Sequence, residues 1–592
     1  RIGGRYTRLG RTVASSCKVC AGSPTPLWEI RARRVIHDSV EQQIYFDRAQ
    51  LRFFGIPVAF IPRLRMPDPT LKRARGVLLP SFRSNSDLGA GISVPYFIPI
   101  GASRDLTLTP FLSTNKARTL DLRYRQAFRT GTVELKGALS RDQILPGQTR
   151  GYARAEGTFS LPRDFQLSFT ATSVSDRGYL LDYGISDDDR LDSRVEIART
   201  RANQHISARL VHFRSLREGD DNATLPSLVA DATWIQRFAP PVIGGVASLA
   251  FSAHGHGRTS TLGTDSNGDG VSEGRDTARA GIRADWRREG VVGPGLLVAG
   301  LAGMRADLFG IAQDDLVGGS YARLTGAAAL ELRYPLTRAT RGGAVQVIEP
   351  VLQLVLAPKG AQGDVPNEDG VLAEFDAGNL FSLNRFPGQD GIEAGNRINA
   401  GLSFSHYAAS GWELGVTVGR IFRAEAATGF SAASGLGGTR SDWLAAWRLS
   451  GAGLALTNRL LFDESLDFSK GEFRLDLVRA GYDITSSYIW TPADTVESRD
   501  SDVSELVFDG RVKLSPGWAG TLNARYDFVA DRAARAGLGL EFRNECLRVD
   551  LSLSRRFTSS SSVSPTTDVG LSVELLGFGG GSSPGPARAC RG

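Results

Sequence analysis

One run in this 592-residue sequence has the residue types and spacing of a metal site. The run Asp265-Ser-Asn-Gly-Asp-Gly-Val-Ser-Glu-Gly-Arg-Asp276 places oxygen donors at positions 1, 3, 5, 9 and 12 and a glycine at position 6. That is the spacing of a 12-residue calcium loop. The pattern predicts weak Ca²⁺ binding by five side chains: Asp265, Asn267, Asp269, Glu273 and Asp276.

Two features of this run favour an ordinary loop instead. Position 12 is an aspartate, whereas calcium loops use a bidentate glutamate there, and no helical pattern flanks the run. Runs of Asp, Asn and Gly are also the usual composition of tight turns. The sequence therefore leaves a calcium site and a hairpin loop as alternatives.

The cysteines and histidines offer little other chemistry. A Cys-X-X-Cys pair can be a redox motif or half a zinc site, but no second ligand pair follows Cys17 and Cys20 at useful spacing. His254 and His256 share one face of a predicted strand, where they form either an adventitious metal pair or a polar pair facing the protein interior. No Gly-X-Ser-X-Gly or His-Glu-X-X-His motif is present, so the sequence predicts a protein that is not an enzyme.

The elements that carry these residues are strands. Apolar and polar residues alternate with period two over most of the chain, as in Phe165–Thr172, Trp412–Val418 and Leu547–Ser554. Turn-rich stretches separate the segments, and helical spacing is scarce. The sequence therefore predicts an all-β chain.

A membrane barrel explains the alternation better than a soluble sandwich. Glycine is frequent, 68 residues, and no run approaches the ~18 apolar residues of a spanning helix. Segments of about 10 residues with apolar and polar faces, joined by connections of uneven length, are typical of outer-membrane barrels. An extended soluble β-protein remains the alternative on pattern alone. The net charge of +7 includes no basic block, so we expect no nucleic-acid partner.

Composition divides the chain into three parts. Residues 1–70 hold short predicted strands, Trp28–Ile36, Gln43–Phe46 and Ala49–Phe53, and end in a proline-rich exit. Residues 75–576 carry the barrel pattern, and residues 577–592 have the Gly/Ser/Pro composition of a disordered tail. No signal peptide is visible at Arg1, so either it was removed or the sequence is a fragment, and the start in mid-pattern favours a fragment.

Ordered motifs along the chain resemble the LPS-assembly outer-membrane protein family (LptD, organic solvent tolerance protein). Each motif is weak alone, but together they run in order from Cys17 to Leu576. They are Cys17-Lys-Val-Cys20, Trp28–Asp38, Phe54–Pro62, Arg75–Pro80, Val94–Phe97, Arg104–Pro110, Ser175–Tyr179, Ile348–Pro350, Pro366–Asp369, Asn379–Ser382 and Arg385–Gly388.

The resemblance implies a fold and a location. The fold is a large closed antiparallel transmembrane barrel of about 24–26 strands, preceded by the C-terminal remnant of a periplasmic β-jellyroll. The location is the outer membrane of a Gram-negative bacterium.

The same resemblance implies transport. Lipopolysaccharide would reach the barrel from a periplasmic bridge protein of the LptA type. Its sugar part would cross a lumen that a plug lipoprotein of the LptE type partly fills, and its lipid part would leave between the first and last strands. A porin or siderophore transporter, or a barrel enzyme such as a phospholipase, is the alternative.

Three sets of site residues follow from this. The family's disulfides imply a bridge from Cys17 or Cys20 to Cys546, with Cys590 free or a substitute. We expect charges in the lumen at Asp121, Arg123, Arg125, Glu374 and Asp376. Proline cannot donate to a strand ladder, so Pro80, Pro95 and Pro110 predict a weak lateral gate near the first strand, and Pro95 and Pro110 match the family's positions. The alternative is that these prolines only end strands at the membrane interface.

Overall fold

A computed structural model describes residues 3–19, 25–68, 73–359, 365–368, 370, 372–427, 429–558 and 564–576. The predicted tail at 577–592, Cys20 and Cys590 lie outside these residues. No helix in the described part of the chain is long and apolar enough to cross a membrane.

A four-stranded antiparallel sheet comes first. Its strands lie side by side in the order in which they occur along the chain: β1 (Tyr6–Ala14), β2 (Trp28–Asp38), β3 (Gln43–Phe53) and β4 (Ile56–Pro67). The two short strands predicted at 43–53 are one strand, β3. Arg48 has a positive φ of 52°, which makes a local irregularity, but the pairing with β2 continues on both sides of it. The proline-rich exit also forms a strand. Its prolines are tolerated because β4 is an edge strand and pairs only with β3.

The remaining strands form one closed antiparallel barrel, as predicted. The segments are β5 (Gly76–Val77), β6 (Ser81–Asn85), β7 (Gly89–Ser93), β8 (Tyr96–Ile100), β9 (Arg104–Ser113), β10 (Arg118–Ala127), β11 (Gly131–Arg141), β12 (Arg150–Leu161), β13 (Phe165–Val174), β14 (Arg190–Arg201), β15 (Gln204–Ser215), β16 (Leu228–Phe238), β17 (Val246–Gly257), β18 (Asp276–Val292), β19 (Leu296–Ala312), β20 (Gly319–Arg333), β21 (Leu336–Ala339), β22 (Val345–Leu356), β23 (Arg397–Tyr407), β24 (Glu413–Ala427), β25 (Gly438–Arg440), β26 (Trp443–Gly451), β27 (Leu454–Phe462), β28 (Phe468–Arg479), β29 (Tyr482–Thr491), β30 (Val503–Ser515), β31 (Trp518–Asp527), β32 (Arg532–Arg543), β33 (Leu547–Arg556) and β34 (Thr566–Leu575).

These segments make 26 barrel strands, within the predicted number. Four barrel strands are interrupted: β5 continues into β6, β7 into β8, β20 into β21, and β25 into β26. The two halves pair with one common strand in three cases: β7 and β8 with β9, β20 and β21 with β22, and β25 and β26 with β24. In the fourth case β5 pairs with β8 and β6 with β7, the two halves of the second strand. Helical structure is confined to connections: α1 (Tyr179–Asp182) and two 3₁₀ turns, Pro162–Asp164 and Ala432–Ser434.

The two faces of the barrel wall differ as the alternation predicts. Large apolar side chains such as Leu122, Ile282 and Leu551 are exposed on the outer face. The intervening side chains, mostly charged or hydroxylated, point into the lumen. An apolar outer belt is what a barrel needs in order to lie in lipid.

The two ends of the barrel also differ. The N-terminal sheet packs against one end, which we call the proximal end, where the connections are short, such as 202–203 and 480–481. The opposite, distal end carries the long connections, including 175–189, 258–275 and 357–396. Short turns at one end and long loops at the other are the usual asymmetry of outer-membrane barrels.

Candidate functional site

The contact between the first and last barrel strands is only partly paired. This contact, which we call the seam, joins β6 to β34 over five residue pairs, from Ser81 opposite Ser572 to Asn85 opposite Asp568. On its other side β34 pairs with β33 over ten residues. In the described structure Val573–Leu575 have no strand partner across the seam, so the proximal half is unzipped.

Prolines account for the interruptions beside the seam. Pro80 lies between β5 and β6, and Pro95 lies between β7 and β8. The carbonyl of Pro95 accepts a hydrogen bond from Leu78 N at 2.8 Å, but Pro95 has no N–H with which to complete the pair. The first two strands therefore break at neighbouring positions.

Pro110 lies in a different place from the one predicted. It belongs to the third barrel strand, β9, which is continuous and places Pro110 opposite Leu120. Its carbonyl accepts a hydrogen bond from Val94 N at 3.1 Å. Because Pro110 has no N–H, the contact between the second and third strands lacks one hydrogen bond. Pro110 has no direct part in the seam.

Polar side chains hold the distal half of the seam. Arg83 on β6 forms an ion pair with Asp568 on β34, with an N–O distance of 2.9 Å. Asn85 Nδ2 donates to the same carboxylate at 2.7 Å, and the backbone N–H of Ser86 donates to the Thr567 carbonyl at 3.1 Å. The seam is therefore latched at the distal end and open at the proximal end.

A distal connection crosses the lumen side of the seam. We call residues 175–189 the strap. Its carbonyl at Tyr183 accepts a hydrogen bond from Arg83, and its Asp187 forms an ion pair with Arg535 on β32. The strap therefore contacts a strand on each side of the seam.

Buried charges anchor the base of the strap to β12. Arg150, at the start of β12, is 2 % exposed and contacts Asp142 at 3.1 Å, with Asp176 and Asp182 both at 2.7 Å. Burial raises the pKa of Asp182, and burial raises the pKa of Tyr183 to about 12. A charge cluster buried to this degree makes the base of the strap rigid.

The seam, the strap and β31–β33 enclose a cavity of about 820 Å³ on the lumen side. Its lining mixes arginines and hydroxyl groups with three aspartates, Asp187, Asp550 and Asp568. Four arginines line it: Arg83, Arg525, Arg535 and Arg556. Guanidinium groups beside hydroxyls suit phosphate and sugar groups, because they donate several hydrogen bonds in a fixed geometry.

The predicted lumen charges fall into two groups. Asp121, Arg123 and Arg125 lie on one face of β10, where Arg123 pairs with Glu134 and Arg125 pairs with Asp105 at 2.9 Å. Glu374 and Asp376 do not lie on the barrel wall. They belong to the connection between β22 and β23 and approach Arg459 of β27 at 3.1 and 3.6 Å.

This connection folds into the lumen, which sequence reasoning did not predict. We call its described residues, 365–368, 370 and 372–396, the lumen segment. Phe375 and Leu380 pack in a buried apolar cluster with Ile421 and Leu461 of the wall. The motifs at Pro366–Asp369, Asn379–Ser382 and Arg385–Gly388 marked this region, but their spacing gave no sign that a loop would turn inward.

Buried ion pairs fix the lumen segment to the wall. His256 Nε2 lies 2.8 Å from Glu368, and Arg275 lies 2.8 Å from the other oxygen of that carboxylate. Burial alone would raise the pKa of Glu368, but the hydrogen bond from His256 and the nearby arginine charges lower it to about 2. Further along, Glu393 meets Arg423 of β24 at 3.0 Å.

The histidine pair belongs to this network. His254 contacts Asp231 at 2.7 Å and His256 at 3.3 Å, so both rings face the lumen and have protein partners. This matches the polar-pair alternative. The part of the chain that the structure describes contains no group of three or more His, Cys, Asp or Glu side chains placed to hold a metal ion.

The structure does not support the calcium prediction. Asp265 accepts hydrogen bonds from the backbone N–H groups of Gly268 and Gly270 at 2.7 and 2.8 Å, and Asp269 accepts one from Val271. Glu273 binds Ser266, and Asp276 binds the N–H of Arg258. The spacing that suggested a metal thus satisfies the loop's own backbone, as in Asx turns.

A disulfide joins the N-terminal sheet to the barrel. It links Cys17 to Cys546, one of the two pairings that the resemblance implied. Trp28 Nε1 donates to the Cys546 carbonyl at 3.0 Å, and Ser16 Oγ donates to the Leu576 carbonyl at 2.6 Å. The sheet is therefore fixed at the proximal end, at the terminus of the last strand.

Comparisons with known proteins agree on one family. A family model described as LptD, LPS transport system D, matches residues 148–518. An LPS-assembly protein LptD from Neisseria gonorrhoeae is 26 % identical over 586 residues, covering 92 % of this chain and 68 % of the relative. One from Idiomarina loihiensis is 22 % identical, covering 95 % and 75 %.

Solved structures give only a remote likeness. The FrpB iron transporter from Neisseria meningitidis matches with a TM-score of 0.31 and 8 % identity, covering 95 % of this chain and 86 % of that one. A likeness at this level supports no argument about function.

Proposed function

The chain belongs to the LptD family, LPS transport system D, and we propose that it inserts lipopolysaccharide into the outer membrane through the seam. It is an outer-membrane LPS-assembly protein by family and fold. In our proposal the lipid part leaves between β6 and β34 while the sugar part stays in the lumen. In this proposal the chain moves the lipid without covalent chemistry, because its relatives are named LPS-assembly proteins.

The observation that carries this proposal is the five-pair seam. In hydrocarbon every backbone N–H and C=O needs a partner, so a barrel opens more easily at a short ladder than at a long one. The ladder between β13 and β14 also has five pairs, but those two strands are joined directly by the strap. Each ladder bond is worth about 1 kcal/mol net, so a seam half as long as its neighbour opens at a much lower cost. The gate residues Pro80 and Pro95 shorten the adjoining strands, and Pro110 loosens the second strand from the third.

The polarity of the seam supports a direction of movement. Its unpaired half lies at the proximal end, beside the sheet fixed by the Cys17–Cys546 disulfide. Lipid that arrives along this sheet, on the periplasmic side, would meet the open half first. Opening the distal half then requires release of Arg83 from Asp568.

The sheet and the lumen each offer a surface for a partner. Of the two sheet edges, β4 carries Pro57 and Pro62 and lacks those donors, whereas β1 has no proline. A bridge protein of the LptA type would therefore add to the sheet on the side away from β4. The lumen segment occupies the wall of β17–β27, so a plug lipoprotein of the LptE type would take the remaining space.

A covalent lock across the seam tests the proposal. Ser81 and Ser572 are directly opposite, so the S81C/S572C variant should form a disulfide that closes the seam. We expect surface lipopolysaccharide to fall when the pair is oxidised and to recover on reduction. Wild type taken through the same redox cycle controls for the native disulfide.

A matched lock elsewhere separates gating from rigidity. Ser403 and Thr417 are also directly opposite, on β23 and β24, with their hydroxyl oxygens 3.2 Å apart. The S403C/T417C variant should leave export unchanged. Normal export with an oxidised S81C/S572C lock would overturn the seam as the exit.

A further inference from the structure

Two arginines face each other on the outer surface of the barrel. Arg118 begins β10 and Arg141 ends β11, and the register places them directly opposite each other. The next pair on the same face is Leu120 and Leu139, which are 40 % and 59 % exposed. The arginines therefore occupy the first polar position distal to the apolar belt.

This pair is unfavourable without a ligand. Like charges directly opposite on neighbouring strands repel each other. Among the described residues neither arginine forms an ion pair with a carboxylate, and Arg141 Nε donates only to Thr149 Oγ1, at 3.2 Å. Arg420, in the middle of β24, is compensated by protein groups instead: it meets Glu464 at 3.3 Å and stacks over Trp443.

We propose that Arg118 and Arg141 bind a phosphate group of a lipid headgroup in the outer leaflet. A phosphate placed between two guanidinium groups accepts hydrogen bonds from both and removes their repulsion. Lys116, exposed in the preceding turn, adds a third positive charge, and the exposed leucines below would contact the acyl chains. Basic residues at headgroup height are a general means of holding anionic lipids.

The site is separate from the proposed exit. Arg118 and Arg141 lie on the fourth and fifth barrel strands and face lipid, whereas the seam joins the first strand to the last. The site requires only that the barrel lies in a membrane whose outer leaflet carries phosphorylated lipid. It would hold a phosphorylated glycolipid close to the place where we propose that such lipids emerge.

The test measures lipid retention by the purified full chain in neutral detergent. Bisphosphorylated lipid A is the probe, and native mass spectrometry counts bound lipid for wild type and the R118Q/R141Q variant. We expect the variant to bind about tenfold more weakly, the loss of two charge-assisted hydrogen bonds. The control is R479Q, because Arg479 is an exposed arginine at the proximal end that lies opposite Tyr482.

Four further arms make the result decisive. Dephosphorylated lipid A should bind wild type as weakly as it binds the variant, and millimolar inorganic phosphate should not displace bound lipid A. In the S81C/S572C background the same loss should persist, because a locked seam does not affect this site. In lipid-free detergent the melting temperature of R118Q/R141Q should equal or exceed that of wild type, and lipid A should raise it less.

Equal lipid A retention by R118Q/R141Q and wild type would overturn the proposal, as would undiminished binding of the dephosphorylated probe. Displacement by inorganic phosphate would show a free-anion site and would also overturn it. A loss that disappears once the seam is locked would assign the lipid to the exit route instead.

Discussion

Asp568 accepts two side-chain hydrogen bonds that cross the seam. They come from Arg83 and Asn85, and both partners are on the first strand. Asp568→Asn keeps the size of the side chain but removes its charge, so we expect about 1 kcal/mol of seam stability to be lost, since the pair is partly exposed. Hydrogen exchange at 81–85 should become about fivefold faster.

A similar ion pair away from the seam provides the control. Arg209 and Asp231 join β15 to β16 inside the barrel at 2.8 Å. The Asp231→Asn variant should leave exchange at 81–85 unchanged. If Asp568→Asn and Asp231→Asn affect that segment equally, Asp568 does not act as a latch.

Glu368 predicts how the lumen segment responds to acid. Its pKa of about 2, below the ordinary 4.5, means that the folded state favours the carboxylate. This stabilisation, about 3 kcal/mol, is present above pH 4.5 and is lost as the pH falls towards 2. Exchange protection at 372–396 should therefore hold from pH 7 to pH 5 and decline below pH 4.

Glu368→Gln provides the comparison for this titration. The amide cannot form the ion pairs with Arg275 and Arg258, so protection at 372–396 should already be lower at pH 7. The decline below pH 4 should be smaller than in wild type. An unchanged acid profile in the variant would show that Glu368 does not anchor the segment.

Among the elements, the strands are what the sequence predicts best, because period-two alternation follows directly from a wall with one face in lipid and one in a polar lumen. The closed barrel and the predicted number of about 24–26 strands are confirmed, since the barrel has 26. The proline exit was not recognised as β4, because an edge strand tolerates prolines that a central strand would not.

The sequence could not place the connections. The lumen segment reaches the wall through contacts such as Glu393 to Arg423, 30 residues apart, and Ser252 to Gln389, 137 residues apart. No local pattern encodes pairings over such distances. The same limit applies to Glu374 and Asp376, which were predicted as lumen charges but whose position in an inward-folded loop had no local signal.

Pro95 should limit how far the first two strands pair. Pro95→Ala would add an N–H opposite Leu78, whose own N–H already donates to residue 95. We expect one new ladder bond worth about 1 kcal/mol, slower exchange at 76–81 and reduced lipopolysaccharide export. Pro99→Ala is the matched control. Pro99 lies beyond Phe97, where the pairing of β8 with β5 ends opposite Gly76, so a new N–H at residue 99 would add no bond to β5. Full export by Pro95→Ala would remove Pro95 from the gate.

At the scale of the whole molecule, the sheet and the barrel form one unit because of contacts that span the chain. The Cys17–Cys546 bridge closes a separation of 529 residues, and Trp28, which is fully buried, packs against it. Cys546→Ser should weaken the docking of the sheet by about 2–4 kcal/mol, since a disulfide chiefly restricts the undocked chain. The barrel ladder does not include this bond, so the melting temperature of the barrel should not change.

Proteolysis between the two parts measures this docking. In Cys546→Ser the linker between β4 and β5 should be cut faster, while the barrel still migrates as a folded species on unheated gels. Trp28→Phe keeps the disulfide but loses the hydrogen bond to the Cys546 carbonyl, so its linker should be cut at a rate between those of wild type and Cys546→Ser. If the lipid is handed over from the sheet to the open half of the seam, lipopolysaccharide export should fall in the same order as docking. Unchanged export from Cys546→Ser with an undocked sheet would separate the sheet from the transport route.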